Sequence, residues 1–441
     1  MINHIENPDS DNYSSVPWFN QDDLYTCVHC GFCLQACPTY LETGLESESP
    51  RGRISLMKGV NEGRIPINDT VLSHWDMCIQ CRACESVCPS GVPYGNLIED
   101  TMANVKKIRK NNIIKRFMLS VMLNKLVTKS VYLKSLIFAM RIYYCSGLRY
   151  VVRKTKILNL IWPKLYHLEK LMPNIYGRPF KANNQTYKTN KKNSIDVQFF
   201  SGCIMPMVQG DQMRNAVDVL TQNGCNVSLP STQQCCGAIN SHVGDMEVAR
   251  DLAKKNIEAF TNDFDVPIIV NSAGCGARMK EYTHLLKDDD EYFEKSEKFA
   301  KRVKDINEFL NEIPLTYAND AFKCSVTYQD SCHLSNAQGI RQAPRSLLNK
   351  IPGVEFKELS ESNICCGAGG TYMFSQQEMS GKVLIRKIEN IQTTQAEIVA
   401  TANPGCFMQL EKGISDAGLS IKVKYITDIL KESYSNIKNK E

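Results

Sequence analysis

Eight cysteines in the first ninety residues form two copies of one motif. Each copy has the spacing Cys-x2-Cys-x2-Cys-x3-Cys-Pro, and the copies run from Cys27 to Pro38 and from Cys78 to Pro89. A tight loop with this spacing presents three thiolates to three corners of a cubane, while the proline turns the chain so that the fourth thiolate points elsewhere. The pattern is typical of proteins that bind two [4Fe-4S] clusters, in which the fourth cysteine of each motif ligates the other cluster.

This exchange of the fourth ligand predicts two sets of four cysteines. The ligands of the first cluster, cluster 1, are predicted to be Cys27, Cys30, Cys33 and Cys88. The ligands of the second, cluster 2, are predicted to be Cys78, Cys81, Cys84 and Cys37. The alternative is a pair of tetrahedral zinc sites, but zinc ribbons need neither a third cysteine nor the proline. His29 and His74 are expected to lie at the surface or behind the ligands, because four cysteines already complete each cluster.

Eight further cysteines form two matched sets in the second half of the chain. The first set is Cys203, Cys235, Cys236 and Cys275, and the second set is Cys332, Cys365, Cys366 and Cys406. Each set contains two adjacent cysteines followed by glycine (CCG), and adjacent residues of a regular strand point to opposite faces. A loop around a metal or cluster uses both thiols, and the glycine allows close approach of the backbone. We therefore predict metal or further iron-sulfur cluster ligation by both sets.

The alternative for the CCG sets is buried free cysteines that pack as small hydrophobic side chains. That alternative explains one or two cysteines but not the same four positions in two copies. The three remaining cysteines have no counterpart in another copy and are predicted to be plain buried residues. They are Cys145, Cys225 and Cys324.

The segments around the CCG sets repeat along the chain. Residues 197–203 match 326–332, 234–238 match 364–368, and 268–275 match 399–406, so the offset between the copies is almost constant. Within each copy, strand-like apolar segments alternate with segments whose apolar residues share one helical face. Two homologous α/β modules with mostly parallel sheets are therefore predicted, with the cysteines in loops where strands end.

The composition of the chain indicates which class of protein carries these motifs. The chain has 441 residues, 43% of them hydrophobic and 22% charged, which is typical of a soluble globular protein with several domains. Its 19 cysteines follow a polar start unlike a secretory signal, so they are expected to be metal ligands in a reducing compartment. No run of about 18 apolar residues without a charge is present, which argues against a spanning helix.

A basic segment separates the two halves of the chain. Residues 101–192 carry 21 Lys and Arg against the single acid Glu169, whereas the other residues carry 31 Lys and Arg against 46 acids. This asymmetry points to an anionic surface, either membrane or nucleic acid. The segment is long, mostly helix-permissive and poor in glycine, so we predict a basic helical insert.

The predicted fold is α+β and multidomain. It comprises a helix-rich two-cluster ferredoxin-like domain (1–100), the basic helical insert (101–192), the first CCG module (193–322) and the second CCG module (323–441). The first domain is expected to be helical because the segment between Cys37 and Cys78 is longer than a minimal hairpin ferredoxin needs, and residues 54–60 within it have a helical pattern.

The ordered set of motifs resembles the bacterial glycolate oxidase iron-sulfur subunit family. The stretches that carry the resemblance are Cys27-Val-His-Cys-Gly-Phe-Cys33, Cys37-Pro-Thr-Tyr40, Pro50-Arg-Gly-Arg53, Cys88-Pro-Ser-Gly-Val92, Ser272-Ala-Gly-Cys-Gly-Ala277 with Lys280-Glu-Tyr282, and Cys365-Cys-Gly-Ala-Gly-Gly-Thr-Tyr372. The resemblance implies a complex in which flavoprotein subunits oxidise glycolate to glyoxylate. The iron-sulfur subunit relays electrons from reduced flavin toward quinone.

Two related architectures supply the alternatives. The chain is also similar to the iron-sulfur subunits of anaerobic glycerol-3-phosphate dehydrogenase and heterodisulfide reductase, and a lactate dehydrogenase subunit is a further alternative. In the reductases each CCG module ends in Cys-x-x-Cys, whereas Arg278 and Gln409 occupy the final positions here. That difference argues against disulfide reduction.

The expected role is an electron-transfer subunit of an acceptor-dependent oxidoreductase. The sequence has no convincing dinucleotide fingerprint and no general-base constellation, so no catalytic residue is assigned and substrate oxidation is expected on a partner. The expected location is cytoplasmic and peripheral, on the inner face of the cytoplasmic membrane. The non-enzymatic alternative is a redox sensor that binds nucleic acid through the insert. For the electron-transfer subunit itself, no nucleic-acid partner is expected.

Overall fold

A computed structural model describes residues 19–108, 130–260, 265–317 and 323–435, apart from 156, 163–165, 167, 168, 170 and 171. The spacing of Ile114, Phe117, Met118 and Val121 in the basic insert predicts one apolar helical face, but these residues lie outside the described ranges. Among the described residues, none of the helices is both long and apolar enough to cross a bilayer.

The N-terminal part is helical, as the sequence predicts. Ser49 begins α3 by accepting a hydrogen bond from the backbone N–H of Gly52, and Pro50 occupies the first turn, where its missing N–H is not needed. Pro38 likewise occupies the first turn of α2. Trp75, Met57 and other buried side chains form the core of this part. Its helices are α1 (Gln21–Tyr25), α2 (Pro38–Thr43), α3 (Pro50–Asn61), α4 (Asp69–Asp76), α5 (Ala83–Ser86) and α6 (Tyr94–Ile108).

The described residues of the basic insert are mainly helical between 130 and 161, whereas residues 172–192 are mostly irregular and supply a short strand, Thr186–Tyr187, to the sheet of the first CCG module. Phe138, Leu160, Ile161 and Trp162 expose 66%, 86%, 73% and 61% of their surface, so this part presents apolar side chains to solvent. The acid Glu169 is buried and pairs with Arg153 at 3.0 Å. The helices here are α7 (Ser130–Cys145), α8 (Leu148–Thr155) and α9 (Ile157–Ile161).

The first CCG module contains a five-stranded sheet in the order β1-β3-β2-β4-β5 within the described residues. All pairings are parallel except that of β1 with β3. The strands are β1 (Thr186–Tyr187), β2 (Ile195–Phe200), β3 (Cys225–Ser228), β4 (Ile268–Val270) and β5 (Val303–Asp305). The helices are α10 (Met205–Val208), α11 (Gly210–Gln222), α12 (Ala238–His242), α13 (Met246–Ala259), α14 (Ala273–Lys280), α15 (Tyr282–Leu285), α16 (Phe293–Arg302) and α17 (Ile306–Glu312).

The second CCG module repeats this arrangement with a parallel four-stranded sheet in the order β7-β6-β8-β9 among the described residues. The predicted repeat is therefore confirmed at the level of strand order. The strands are β6 (Cys324–Tyr328), β7 (Val354–Lys357), β8 (Ile398–Ala400) and β9 (Lys422–Lys424). The helices are α18 (Gln342–Lys350), α19 (Tyr372–Ser375), α20 (Gln377–Thr393), α21 (Pro404–Asp416) and α22 (Ile426–Ser435).

One hydrophobic core joins the two modules. Buried side chains of β2 and α11 belong to the same cluster as those of β6 and α22, and Asn223 donates a hydrogen bond to the Tyr434 hydroxyl at 2.9 Å. The starts of α14 and α21 also meet, because the N–H of Gly274 donates to Asn403 Oδ1 at 3.0 Å. The modules therefore place their matched cysteine loops on either side of a common interface.

The N-terminal part packs against both modules through buried polar contacts. Glu99 on α6 pairs with Arg278 of the first module and lies 3.1 Å from His242 Nδ1. Burial alone would raise the pKa of Glu99, but Arg278 and His242 outweigh burial and lower the pKa to about 2. The carboxylate thus stays ionised at the junction, where it compensates a buried cation.

Candidate metal centres

The four cysteines predicted for cluster 1 surround a single cavity. Cys27, Cys30, Cys33 and Cys88 line about 410 Å³ of empty space, part of it open to solvent. Cys30 is exposed, and the flanking Val28 and Phe32 each expose 67% of their surface. This site therefore lies at the surface of the protein.

The four cysteines predicted for cluster 2 line a second cavity of about 300 Å³, again partly open. They are Cys37, Cys78, Cys81 and Cys84. Pro50, Cys84 and Tyr94 line both cavities, so the two spaces share a wall. The structure thus brings together both sets that the spacing predicted, including the exchanged fourth cysteines. Within the described residues no group of three or more His, Cys, Asp or Glu is arranged to hold a single metal ion.

Both cysteine loops have the same unusual backbone. The residue just before and the residue just after the second cysteine have positive φ, at 55° and 90° for His29 and Gly31 and at 58° and 60° for Gln80 and Arg82. Alternating left- and right-handed residues turn successive N–H groups toward a common centre, which is a recurring cradle for iron-sulfur clusters. In the second loop the N–H of Gln80 donates to Cys78 Sγ at 3.4 Å. The loops therefore suit anionic clusters.

A buried cation lies behind cluster 2. The Arg53 side chain is 1% exposed, donates to Glu48 Oε2 at 2.6 Å and donates to the carbonyl oxygen of His74 at 2.7 Å. Glu48 also accepts a hydrogen bond from His74 Nδ1 at 2.6 Å. This histidine thus supports the site from behind, whereas His29 is exposed, with Nε2 3.3 Å from Lys58 Nζ.

Burial raises the pKa of four thiols of these sites and holds them protonated unless a metal is bound; they are Cys33, Cys78, Cys81 and Cys84. Burial raises the pKa of Cys33 to about 11, and burial together with neighbouring thiolates raises the pKa of Cys84 well above its usual value. Metal ligation requires thiolates, so cluster binding releases protons and supplies the stabilisation that the protein alone does not provide.

Each CCG module also brings its four thiols together. Cys203 Sγ lies 3.4 Å from Cys235 Sγ, and Cys332 Sγ lies 4.0 Å from Cys365 Sγ. The remaining thiols pair in the same way in both modules, Cys236 with Cys275 and Cys366 with Cys406. Both modules therefore build the same four-thiol arrangement, as the repeat predicted.

The backbone after each cysteine pair has a left-handed conformation that requires glycine. Gly237 and Gly367 have φ of 82° and 84°, and a Cβ on Gly367 would lie 2.7 Å from the Ser380 carbonyl oxygen. The loop therefore turns onto the helix below it, α13 or α20, and this turn places both thiols on one side.

The isolated cysteines differ from the prediction at one position. Cys225 is fully buried, as expected, but Cys324 is only partly buried because it begins β6 at the module edge. The Cys145 side chain lies outside the described residues. Arg278 and Gln409, at the positions of the reductases' last cysteines, are both buried, and Gln409 donates to Ser380 Oγ at 3.0 Å.

Cluster 2 lies against the second CCG module. Asn336 donates to the Cys81 carbonyl oxygen at 3.1 Å, His333 Nε2 donates to the Gln80 carbonyl oxygen at 3.1 Å, and Tyr372 donates to the Met77 carbonyl oxygen at 3.0 Å. Cys81, Cys332 and Cys365 belong to one apolar cluster around the buried Ile79.

The sequence prediction gave no role to several residues that support these sites. Arg53 appeared only within the stretch Pro50-Arg-Gly-Arg53, and nothing in that stretch separates the buried Arg53 from the more exposed Arg51. The contacts of Ile79 and Tyr372 join the N-terminal part to the second module, at opposite ends of the chain, so no local pattern could reveal them.

Comparison with known families supports the cofactor type. A 4Fe-4S dicluster domain model matches residues 23–92, and a cysteine-rich domain model matches residues 197–280 and 326–411. The N-terminal part is therefore a two-cluster iron-sulfur domain, and the zinc alternative is not supported. The second half consists of two cysteine-rich domains.

Known proteins also match over most of the chain. The probable glycolate oxidase iron-sulfur subunit of Bacillus subtilis is 38% identical over 94% of this chain and 95% of its own length. The glycolate oxidase iron-sulfur subunit of Escherichia coli is 29% identical over 87% of this chain and 88% of its own. The lactate utilization protein A of Oceanobacillus iheyensis is 32% identical over 54% of this chain and 96% of its own.

The cluster cavities, the duplicated CCG modules and the near full-length similarity all indicate the same class of protein. The protein is an iron-sulfur electron-transfer subunit, and the chain belongs to the glycolate oxidase iron-sulfur subunit family.

Proposed function

We propose that this chain relays electrons from reduced flavin on partner subunits toward quinone in a complex that oxidises glycolate to glyoxylate. The main support is the similarity to a glycolate oxidase iron-sulfur subunit over 95% of that protein's length, combined with two four-cysteine cavities that share a wall. The proposed ligands are those predicted from the spacing, with the eight CCG cysteines as ligands of additional clusters.

The described residues fit this relay. A [4Fe-4S] cluster exchanges one electron at a time, which suits transfer between a two-electron flavin and a two-electron quinone. The exposed Cys30 and its apolar neighbours, Val28 and Phe32, leave cluster 1 accessible to a partner subunit. The buried Arg53 is paired with Glu48, so it adds no net charge beside cluster 2, but its hydrogen bonds to Thr39 and to the His74 carbonyl oxygen hold the segments around this cluster in place.

The substrate is tested by purifying the complex from native cells under anaerobic conditions. We expect a flavoprotein to co-purify and the complex to reduce quinone with glycolate, whereas the isolated chain should not oxidise glycolate with an artificial acceptor. The similarity to lactate utilization protein A makes lactate the second candidate. Activity with lactate or glycerol-3-phosphate but not glycolate would contradict the substrate assignment.

The basic insert is proposed to hold the complex at an anionic membrane surface, on the cytoplasmic face. Phe138, Leu160 and Trp162 are exposed in the same part of the chain as Lys154 of α8, whose side chain is also exposed. Aromatic and basic side chains together are typical of interfacial segments. Each Lys or Arg near such a surface contributes about 1 kcal/mol, so a few suffice to hold the protein there.

Sedimentation with vesicles tests this assignment. We expect the full chain to bind vesicles that contain anionic lipid at low salt, to bind neutral vesicles weakly, and to be released by high salt. Neutralising the Lys and Arg residues of 106–156 should abolish binding. A matched control is neutralisation of Lys295 and Lys298 on α16, which lies outside the insert. Equal sedimentation of the wild type and the neutralised insert would contradict the membrane assignment.

A further inference from the structure

The two CCG modules differ at one buried position beneath the cysteine pair. Helices α13 and α20 begin at Met246 and Gln377, and when they are aligned from these starts Asn256 of the first module corresponds to Lys387 of the second. Both side chains are buried, with exposed fractions of 0% and 1%. The repeat therefore places a neutral amide in one module and an ammonium group in the other.

Asn256 bonds the first cysteine loop directly. Its side chain donates to the Cys235 carbonyl oxygen at 2.9 Å and accepts from the Gln234 N–H at 2.8 Å. The nearest buried cation of that module, Arg278, is neutralised by its ion pair with Glu99. The first four-thiol site thus lacks an uncompensated positive charge among the contacts described.

Lys387 has a different environment. Its ammonium donates to the carbonyl oxygens of Glu361 and Ser362, and no carboxylate in the described ranges lies within 4.0 Å of it. Burial lowers the pKa of Lys387 to about 8, while Cys366, Cys365 and the more distant carboxylates of Glu361 and Asp330 raise it, so the group remains charged at neutral pH. A buried charge acts strongly here because the interior screens it less than water does.

The same module is the one that touches cluster 2. Cys81 shares an apolar cluster with Cys332 and Cys365, and Asn336 bonds the Cys81 backbone. The contacts of the first module with this loop run through Gln80 and Arg82 instead, to His242 and Glu281. Among the described contacts, the second module therefore touches the Cys81 ligand itself, whereas the first module touches its neighbours in the loop.

We propose that Lys387 is a positioning residue that raises the reduction potential of the second CCG site, so that this site, and not the first, accepts electrons from cluster 2. The inference rests on the proposed function, since it requires a redox-active cluster on the CCG thiols. The ammonium stabilises the extra negative charge that the site gains on reduction.

The test is an anaerobic redox titration of the full chain, followed by electron paramagnetic resonance. Signals are assigned by their loss in Cys236→Ser for the first module and Cys366→Ser for the second. In Lys387→Gln, the reduction equilibrium constant of the second site should fall about tenfold, which is a shift of about 59 mV to lower potential for one electron. Lys387→Arg should retain the wild-type potential.

The control is Lys382→Gln, on the same helix but half exposed and paired with Glu378 at 3.0 Å, which should change no potential. An unchanged potential in Lys387→Gln would overturn the inference and leave the relay intact. If Lys387→Gln does not fold, the redox titration of the wild type provides the test. The inference then requires the second CCG site to have a higher reduction potential than the first. A wild type with eight irons and only the two N-terminal signals would overturn both this inference and cluster binding by the CCG modules.

Discussion

Electron transfer to quinone is expected to fall to background in Cys81→Ser, while the flavoprotein partners still reduce a small dye with substrate. Cys81 lines the cavity of cluster 2 and lies beside Cys332 and Cys365, so its loss affects both the cluster and its contact with the second module. The measurement is the ratio of quinone-dependent to dye-dependent activity in the reconstituted complex. A serine oxygen is a poor replacement for a soft thiolate ligand of iron.

Cys324→Ser is the matched control for this prediction. Cys324 is a partly buried cysteine at the start of β6 that belongs to none of the four predicted ligand sets. Its replacement should preserve both activities. Quinone reduction at the wild-type rate in Cys81→Ser would show that cluster 2 is not on the electron path.

The sequence predicted the features that depend on local spacing or on repetition. The exchanged cysteines, the CCG sets and the parallel sheets all follow from patterns within a motif or between two copies of it. The matching strand orders, β3-β2-β4-β5 and β7-β6-β8-β9, confirm the predicted duplication. Strong patterning was sufficient here because the central strands β2, β4, β6 and β8 are largely buried and because each motif keeps its cysteines at fixed spacing.

Other features depend on contacts that no local pattern records. Arg51 and Arg53 are close neighbours on α3, yet Arg51 pairs with Glu46 near the surface and Arg53 is enclosed with Glu48. Which face of a short helix becomes buried depends on what packs against it, here the Thr39 and His74 segments. A charged residue on a short helix can therefore be buried or exposed, and its identity alone does not show which.

The asymmetry between the two modules is the clearest case. Asn256 and Lys387 are ordinary helix residues in the sequence, and only the structure shows that both are buried beneath the cysteine pairs with different hydrogen-bond partners. Likewise, the contact between Ile79 and the second module joins the N-terminal part to a loop near the other end of the chain. The repeat predicted two similar sites, and the tertiary structure makes them different.

The iron content of the wild-type chain tests the central claim most directly. Anaerobically purified protein should be brown and contain at least about eight iron atoms and as many acid-labile sulfides, from two clusters of four. Occupied CCG modules would raise the iron content toward about sixteen if each held a further four-iron cluster. After reduction, the two N-terminal clusters should show mutually coupled paramagnetic signals, because their cavities share Cys84 and Tyr94. Stoichiometric zinc with fewer than about two irons per chain would contradict the account.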